Sequence, residues 1–465
     1  MKPITVLIII IACLIVCCRK DSFISDSNAV VNISADTIHF DTLFTSTGSV
    51  THFFKVFNEN DRKLRIADIT LSGGSNSFFK INTDGAEGPS VTGLEIEPND
   101  SLYVFVTVRV DPGTDNLPFI VQDSIGITYN GVRKWVQLQA WGQNANFMNS
   151  KVITADTTWA NDKPFVILGG LLIAYGAKLT IQEGTKLYFH ADAPFIVDGT
   201  LDATGDKYDS TKIVLRGDRI DDYYRDLPAS WPGIYFRETS TDNFLKHVVV
   251  KNAYQGLISE KPSSIPGFKV TLEECIIDNC FDAGILGVNS SITAVNCLVS
   301  NCGKNILLVQ GGTYDFKQCT DVAISNSFIS HRQPVLVVTD FLKNGNVITV
   351  ADTKASFINC IFWGANGTVE NEVVTVREGQ GVFEVDFKNC LWKVKDQPAG
   401  VSMSGMVENQ DPSFQRTDTR ENNYDFTLKE GSTAINAGLN AGISTDLNGD
   451  NRVNIPDIGA YETTF

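Results

Sequence analysis

The densest set of oxygen-bearing side chains lies near the end of the chain. The run Asp446-Leu447-Asn448-Gly449-Asp450-Asn451-Arg452-Val453-Asn454-Ile455-Pro456-Asp457 places them at positions 1, 3, 5, 9 and 12 of a twelve-residue loop, on Asp446, Asn448, Asp450, Asn454 and Asp457. Calcium is a hard cation that takes about six to eight oxygen ligands, and alternate residues of a tight loop can turn inward to supply them. Calcium is therefore the cofactor this spacing points to. The competing use of the same groups is structural, with carboxylates and amides bonding to turns of backbone. Two further sets combine carboxylates with bases. Asp221, Asp222 and Arg225 stand among Tyr223, Tyr224 and Trp231, a stretch able to line a sugar-binding face. His331 and Arg332 precede Asp340 and could share a groove with it. Neither set has the spacing of a motif, and either loop serves equally as an exposed turn or a cap. There is no Ser/His/Asp signature, phosphate loop or dinucleotide fingerprint.

These side chains need a scaffold, and the composition allows a large one. The 465 residues are 43% hydrophobic and 20% charged, ordinary for a folded chain. The formal net charge is −16. That argues against nucleic acid as a partner, because phosphate binding needs a basic face.

The first residues read as a targeting segment. Met1-Lys2 is followed by an almost wholly apolar run from Ile4 to Val16, too short to span a bilayer. It ends in Ile15-Val16-Cys17-Cys18, with the polar Arg19-Lys20-Asp21 directly after. This resembles a bacterial lipoprotein signal, which implies lipidation at Cys18, with Cys17 as the alternative acceptor. A plain secretory signal is the competing reading. Residues 19–30 then form a polar tether.

Cysteine spacing reveals the main body. Of ten cysteines, three lie in the signal and none between residues 19 and 274. Cys275, Cys297 and Cys319 are 22 residues apart, as are Cys280 and Cys302, and Asn279 and Asn301. Apolar positions share the phase: Ile276 with Leu298, Ile277 with Val299, Ile285 with Leu307, Leu286 with Leu308. Very short strands punctuated by Gly, Asp and Asn, with no helical spacing between them, fit a solenoid that buries its core only by stacking. One period is then one coil, and the cysteines become inward rows of small apolar side chains. Disulfides between adjacent coils and a zinc site are the weaker alternatives, since the repeat alone explains the spacing. Asn252, Asn279 and Asn301 become a ladder at a turn, where asparagine tolerates left-handed backbone.

Residues 31–146 read differently. Runs such as Thr51-Val56, Leu64-Leu71, Ser101-Val110, Ser124-Tyr129 and Val132-Ala140 are separated by turn signals, with Asn130-Gly131 the strongest hairpin signal among them. About seven strands in this length suggest a β-sandwich.

Three resemblances add to this. Phe53-Lys55-Val56-Phe57-Asn58, Glu97-Pro98-Asn99-Asp100-Ser101-Leu102 and Ala140-Trp141-Gly142 resemble immunoglobulin-like domains of Bacteroidota envelope proteins, which implies a spacer or interaction module. Trp231, Gly233 and the paired phrases Phe357-Ile358-Asn359-Cys360 and Phe387-Lys388-Asn389-Cys390 resemble right-handed parallel β-helix proteins of the pectate-lyase-like superfamily, over about residues 150–462. Enzymes of that fold use calcium-binding carboxylates beside a Lys or Arg base. The Asp446–Asp457 loop resembles the calcium loop of dockerin modules, but Asn451 replaces the glycine expected at its sixth position. With Ala434-Ile435-Asn436-Ala437-Gly438 before it and Asp457-Ile458-Gly459-Ala460-Tyr461-Glu462 closing it, it also resembles the closing segment of β-helix proteins.

The expected architecture is all-β: signal 1–18, tether 19–30, immunoglobulin-like sandwich 31–146 and right-handed parallel β-helix 150–462. The expected role is a cell-envelope protein, anchored to the outer membrane by lipid and facing either the periplasm or the surface. It would bind glycan or another envelope component without catalysis. A structural or adhesive stalk and a polysaccharide lyase or glycoside hydrolase are the alternatives.

Overall fold

The computed structural model describes residues 22–44, 51–109, 119–221 and 224–463. Among them the chain is all-β, with one three-residue 3-10 turn at Gly74–Asn76. It divides into two compact units between Asn144 and Ala145, close to the change of texture read from the sequence.

The first unit is a sandwich of two sheets. One contains Lys63–Leu71, Ser90–Ile96, Phe119–Tyr129, Val132–Gln143 and Thr37–Phe44; the other contains Val31–Ile33, His52–Asn58, Ser101–Val108 and Phe79–Thr83. Inward side chains alternate along each strand, so Phe54, Val56, Val104 and Val106 meet Leu64, Ile66, Ile125 and Val136 in one core. The Asn130-Gly131 turn has positive φ at both residues (45° and 79°), the geometry a two-residue hairpin requires. The polar stretch read as a tether is folded from Phe23 onward. Phe23–Ile24 pairs in parallel with Lys63–Leu71, and the Arg65 guanidinium lies 4.3 Å from the Phe23 ring centroid. The Asn130 amide donates to the carbonyls of Ile24 and Asp26. An apolar pair is enough to add a strand where a partner edge stands open.

The second unit is a parallel β-helix. Each coil contributes to three sheets, here called I, II and III. Phe195–Val197, Thr200–Thr204 and Ile213–Gly217 are the strands of an early coil, pairing with Ile234–Phe236, Asn243–Lys246 and Val248–Lys251 of the next. Inward side chains therefore stack in rows at a rise of about 4.8 Å per coil. The cysteines form such rows: Cys275, Cys297 and Cys319 continue into Cys360 and Cys390, and Cys280 sits beside Cys302. All seven are buried free thiols. Burial pushes the thiols of Cys297, Cys302, Cys319 and Cys360 well up, so they stay protonated and inert.

Left-handed corners turn the chain between sheets. His247, Glu274, Asn296, Gln318, Asn359 and Asn389 all have φ between 48° and 54°. The expected Asn252–Asn279–Asn301 ladder is a second such corner, with the Asn279 amide donating to the Asn252 side-chain oxygen at 2.9 Å. The 22-residue phase needs one correction. In sheet I, Ile285 pairs with Ile306 and Leu286 with Leu307, a step of 21. The turn at Gly303 is one residue shorter than its counterpart at Phe281-Asp282. The lost residue is regained in the Gln310-Gly311-Gly312 corner, where the register shifts.

Outward, the three sheets differ. Sheet II presents Thr271, Thr293, Asp315, Ser356 and Asp386 in one row. Sheet III presents Leu298, Ile361 and Leu391, which are covered by Leu447, Ile458 and Ala460 of the C-terminal segment. Sheet I presents an apolar row. It starts with Val152, Leu172 and Ile196 and continues through Tyr235, Ile258 and Leu286. Leu307, Val337 and Val374 complete it. Every member is at least partly exposed.

One inward residue breaks the apolar rule. Asp321 stacks between Val299 and Phe362 inside the β-helix, is 0% exposed, and neither carboxylate oxygen has a hydrogen-bond partner. Burial lifts its pKa well above the carboxylate range, so folding favours the protonated form. Its contribution is fully favourable below the unfolded value, about 3.9, and is lost as pH rises toward the folded value. Asp321→Val is expected to raise the melting temperature, by the equivalent of about 1–3 kcal/mol near neutral pH. The gain should grow between pH 4 and pH 8 in thermal denaturation. A variant no more stable than wild type at pH 8 would contradict this environment.

Candidate functional site

The Asp-rich loop is held by its own backbone. Asp446 is fully buried; one carboxylate oxygen accepts the N–H groups of Asn448 (2.9 Å) and Asp450 (2.8 Å), and the other accepts that of Glu462 (2.7 Å). Asp457 accepts from Asn436 and Thr463. Between them lies a buried ion pair, Arg452 with Glu462 at 3.1 Å. Arg452 also donates to the Asn296 side chain and the Gly459 carbonyl. Asn448, Asp450 and Asn454 remain exposed. Among the described residues no three His, Cys, Asp or Glu side chains converge as a metal-binding group. The oxygens of both buried carboxylates accept backbone amides and the other three candidate ligands face solvent without converging on them, so the described residues do not form a calcium shell. The arrangement fits the closing-segment reading. The segment straps the left-handed corner: Asn389 bonds Ala437, Asn359 bonds Leu439, Gln318 bonds Asp457, and Asn296 bonds Thr445.

The other sequence candidates are also tied into structure. Asp221 is a bidentate partner of Arg219 (2.8 and 3.0 Å), whose guanidinium lies 3.8 Å from the Tyr224 ring centroid. Arg225 reaches Asp226 at 3.4 Å, and Asp222 and Tyr223 lie outside the described residues. Trp231 does not line a sugar face. It is buried, stacks on Phe189 at 4.4 Å and donates to the Lys251 carbonyl. His331 does not share a groove with Asp340 and Arg332. Its Nε2 pairs with Glu372 at 2.9 Å, both side chains almost wholly buried, in a space that Gly364 and Gly367 leave open. Asp340 accepts the N–H groups of Glu378 and Gly379, while Arg332 is exposed. Lys269, fully buried, donates to the carbonyls of Arg237, Glu238 and Glu260, and burial pushes its pKa down to about 8. These charged groups act as struts between coils. Cys17 and Cys18 lie outside the described residues.

Several aromatic side chains are open to solvent. On the sandwich's second sheet, Phe53, Tyr103 and Phe105 are 52%, 39% and 38% exposed. Phe53 stands opposite Phe105, and Lys55 opposite Tyr103. Tyr103 and Phe105 are stacked with centroids 5.8 Å apart and planes 12° apart. The Lys55 ammonium lies 4.4 Å from the Tyr103 centroid. A hollow of about 500 Å³ lined by Lys80, Asn82 and Thr107 opens on one side of Phe105. A second, of about 320 Å³, touches Ser101 and Asp84. An outward face of an antiparallel sheet is ordinarily polar, so these rings are a departure. The signal was in the sequence: Leu102-Tyr103-Val104-Phe105-Val106 is apolar on both phases of the strand. On the β-helix, Tyr254 and Phe281 form a second exposed pair, 5.8 Å apart, beside the Gln255–Asp282–Lys304 hydrogen-bond chain.

A family model described as right handed beta helix region matches residues 167–329, so the coils there are those of a right-handed parallel β-helix. No curated protein matches the chain. Among solved structures it is similar to a family 123 glycoside hydrolase from Clostridium perfringens, at 13% identity over 26% of this chain and 30% of that one, TM-score 0.20. It is similar to the CooA pilin subunit from enterotoxigenic Escherichia coli, at 10% identity over 24% of this chain and 97% of that one, TM-score 0.19. The E. coli chaperone DraB is similar at 8% identity over 25% and 55% of the two chains, TM-score 0.17. The chain thus spans under a third of the hydrolase's length, and none of these likenesses bears on activity.

The tail chemistry is directly testable. A chelator should leave the melting temperature unchanged and added calcium should not raise it. Arg452→Ala should lower stability by about 3–5 kcal/mol, because it strands Glu462 without its partner. A chelator-induced drop restored by calcium would overturn the strap reading.

Proposed function

We propose that this chain is a lipid-anchored protein of the bacterial cell envelope that holds glycan without transforming it. The observation that carries the binding role is the cluster of Phe53, Tyr103 and Phe105 on the sandwich. Flat rings stack on the apolar C–H faces of sugar rings, and they do so with little loss of side-chain freedom. Lys55, Lys80 and Asn82 border the rings and offer donors to hydroxyls and carboxylates. The Lys55 and Lys80 ammonium groups beside the rings favour an acidic sugar over a neutral one locally, against the field of a chain of net charge −16. The β-helix pair Tyr254–Phe281 supports the same reading at a second position. The paired state of Asp221, His331, Asp340, Asp446 and Asp457 favours holding over cleavage, since a proton-transferring group must be able to reach a substrate.

The anchor rests on Cys17-Cys18 after the apolar run. Fatty acid fed to expressing cells should label the protein, and Cys18→Ala should abolish the label. Label that survives Cys18→Ala but not Cys17→Ala moves the acceptor, and absence of label from the unsubstituted protein removes the anchor. The binding role is tested by affinity electrophoresis of the purified protein in acidic and neutral polysaccharides. Tyr103→Ala and Phe105→Ala should each weaken retardation by acidic polymer at least about tenfold, the loss of roughly 1.4 kcal/mol of stacking. Equal retardation of variants and wild type would rule this surface out.

A further inference from the structure

We propose that two copies of this chain associate through the outward face of sheet I. The apolar row from Val152 to Val374 runs unbroken through nine successive coils, one side chain per coil. Beside it the neighbouring column is mixed, running Glu260, Val288, Val309, Thr339 and Val376, so the apolar stripe is the single row. The contrast with the other two sheets shows that this is not a general property of the coil. Sheet II is polar outward, and the apolar exterior of sheet III is roofed by Leu447 and Ile458. Only the apolar exterior of sheet I carries no such roof among the packed clusters of the described residues.

Three observations select a second copy as the occupant. The first is charge. Two of the acidic groups bordering the row are matched by cations within the face, Asp198 by Arg237 and Asp282 by Lys304, and Glu260 accepts a hydrogen bond from the Tyr235 hydroxyl. A molecule of net charge −16 can therefore meet itself here without opposing fields of one sign. The second is area. Eight steps of about 4.8 Å and a strand width of about 15 Å give a face near 600 Å² per copy, about 1,200 Å² in total, which clears the threshold of about 1,000 Å² for a specific interface. The third is period. Side chains spaced one coil apart form ridges, and an antiparallel second copy offers grooves of the same spacing. A twofold contact places each patch on its own equivalent, with Ile258, the fifth of the nine, at the axis. Sheet I then loses its exposed aliphatic surface as sheet III does beneath the strap.

The test uses the intact protein in the cells that express it, cross-linked with an amine-reactive reagent and sized on a denaturing gel. Wild type should give an adduct of twice the chain mass. Ile258→Lys should lower that adduct at least about tenfold, because two ammonium groups would face each other at the axis. Thr293→Lys, on the polar sheet II, should leave it unchanged. Co-expression of Ile258→Lys with Ile258→Glu should restore the adduct as a mixed pair, which misfolded variants would not do. Absence of the double-mass adduct in wild type overturns the proposal, as does its persistence in Ile258→Lys. An adduct of another mass would place a different protein on this face and overturn it as well. None of these outcomes depends on sugar binding by the sandwich.

Discussion

Stacking of one coil upon the next governs the larger unit. Each inward or outward side chain has a copy-equivalent about 4.8 Å above and below it, so a residue is acceptable only if its row is. Small thiols make a continuous column from Cys275 to Cys390, and Phe316, Phe357 and Phe387 make an aromatic one, stacked at 5.5 and 4.8 Å. Asparagine recurs at the corners because it adopts left-handed backbone at low cost and its amide reaches the neighbouring coil. Buried polar groups that join a row or a carbonyl, such as Lys269 and Asn279, tie coils together. Asp321, which joins neither, is a liability of the same geometry.

The strap shows how this constraint is closed. Coils of sheet III expose leucine and isoleucine, and the chain's last segment covers them while bonding the corner amides from Asn296 to Asn389. The carboxylates of Asp446, Asp457 and Glu462 are consumed in shaping that segment. A spacing suited to calcium and a spacing suited to capping backbone amides are the same spacing, because both require oxygens aimed inward from a tight loop. The Arg452 guanidinium supplies the positive charge within this segment, paired with Glu462.

Much of the fold was legible because it is periodic. The 22-residue phase identified the coil, the cysteine rows and the asparagine ladder without any contact being known. It also contains Asp321, since Val299 is inward and Asp321 stands 22 residues later in the same row. The closing role of the last segment was visible as a resemblance, but its contacts were not legible, because Arg452 and Asn296 are 156 residues apart and no local pattern joins them. Trp231 follows an aromatic loop in sequence, which points to a surface role, but an isolated bridge to Ala253 and the Phe189 ring hold it inward. The partner of His331 was missed for a similar reason: Glu372 lies 41 residues on, beyond an inserted hairpin at Phe341–Asn344 and Val347–Val350 that breaks the period. On the sandwich, the aromatic face was visible as an apolar strand that fails to alternate.

The proposed role is to hold an acidic glycan on the sandwich and leave it intact. The most direct measurement is a hydrogen-exchange footprint of the protein with and without acidic polysaccharide, with the polymer's chain length recorded before and after. The account expects slowed exchange in His52–Asn58 and Ser101–Val108, with no shortening of the polymer. Protection confined to the β-helix, accompanied by new chain ends, would contradict it.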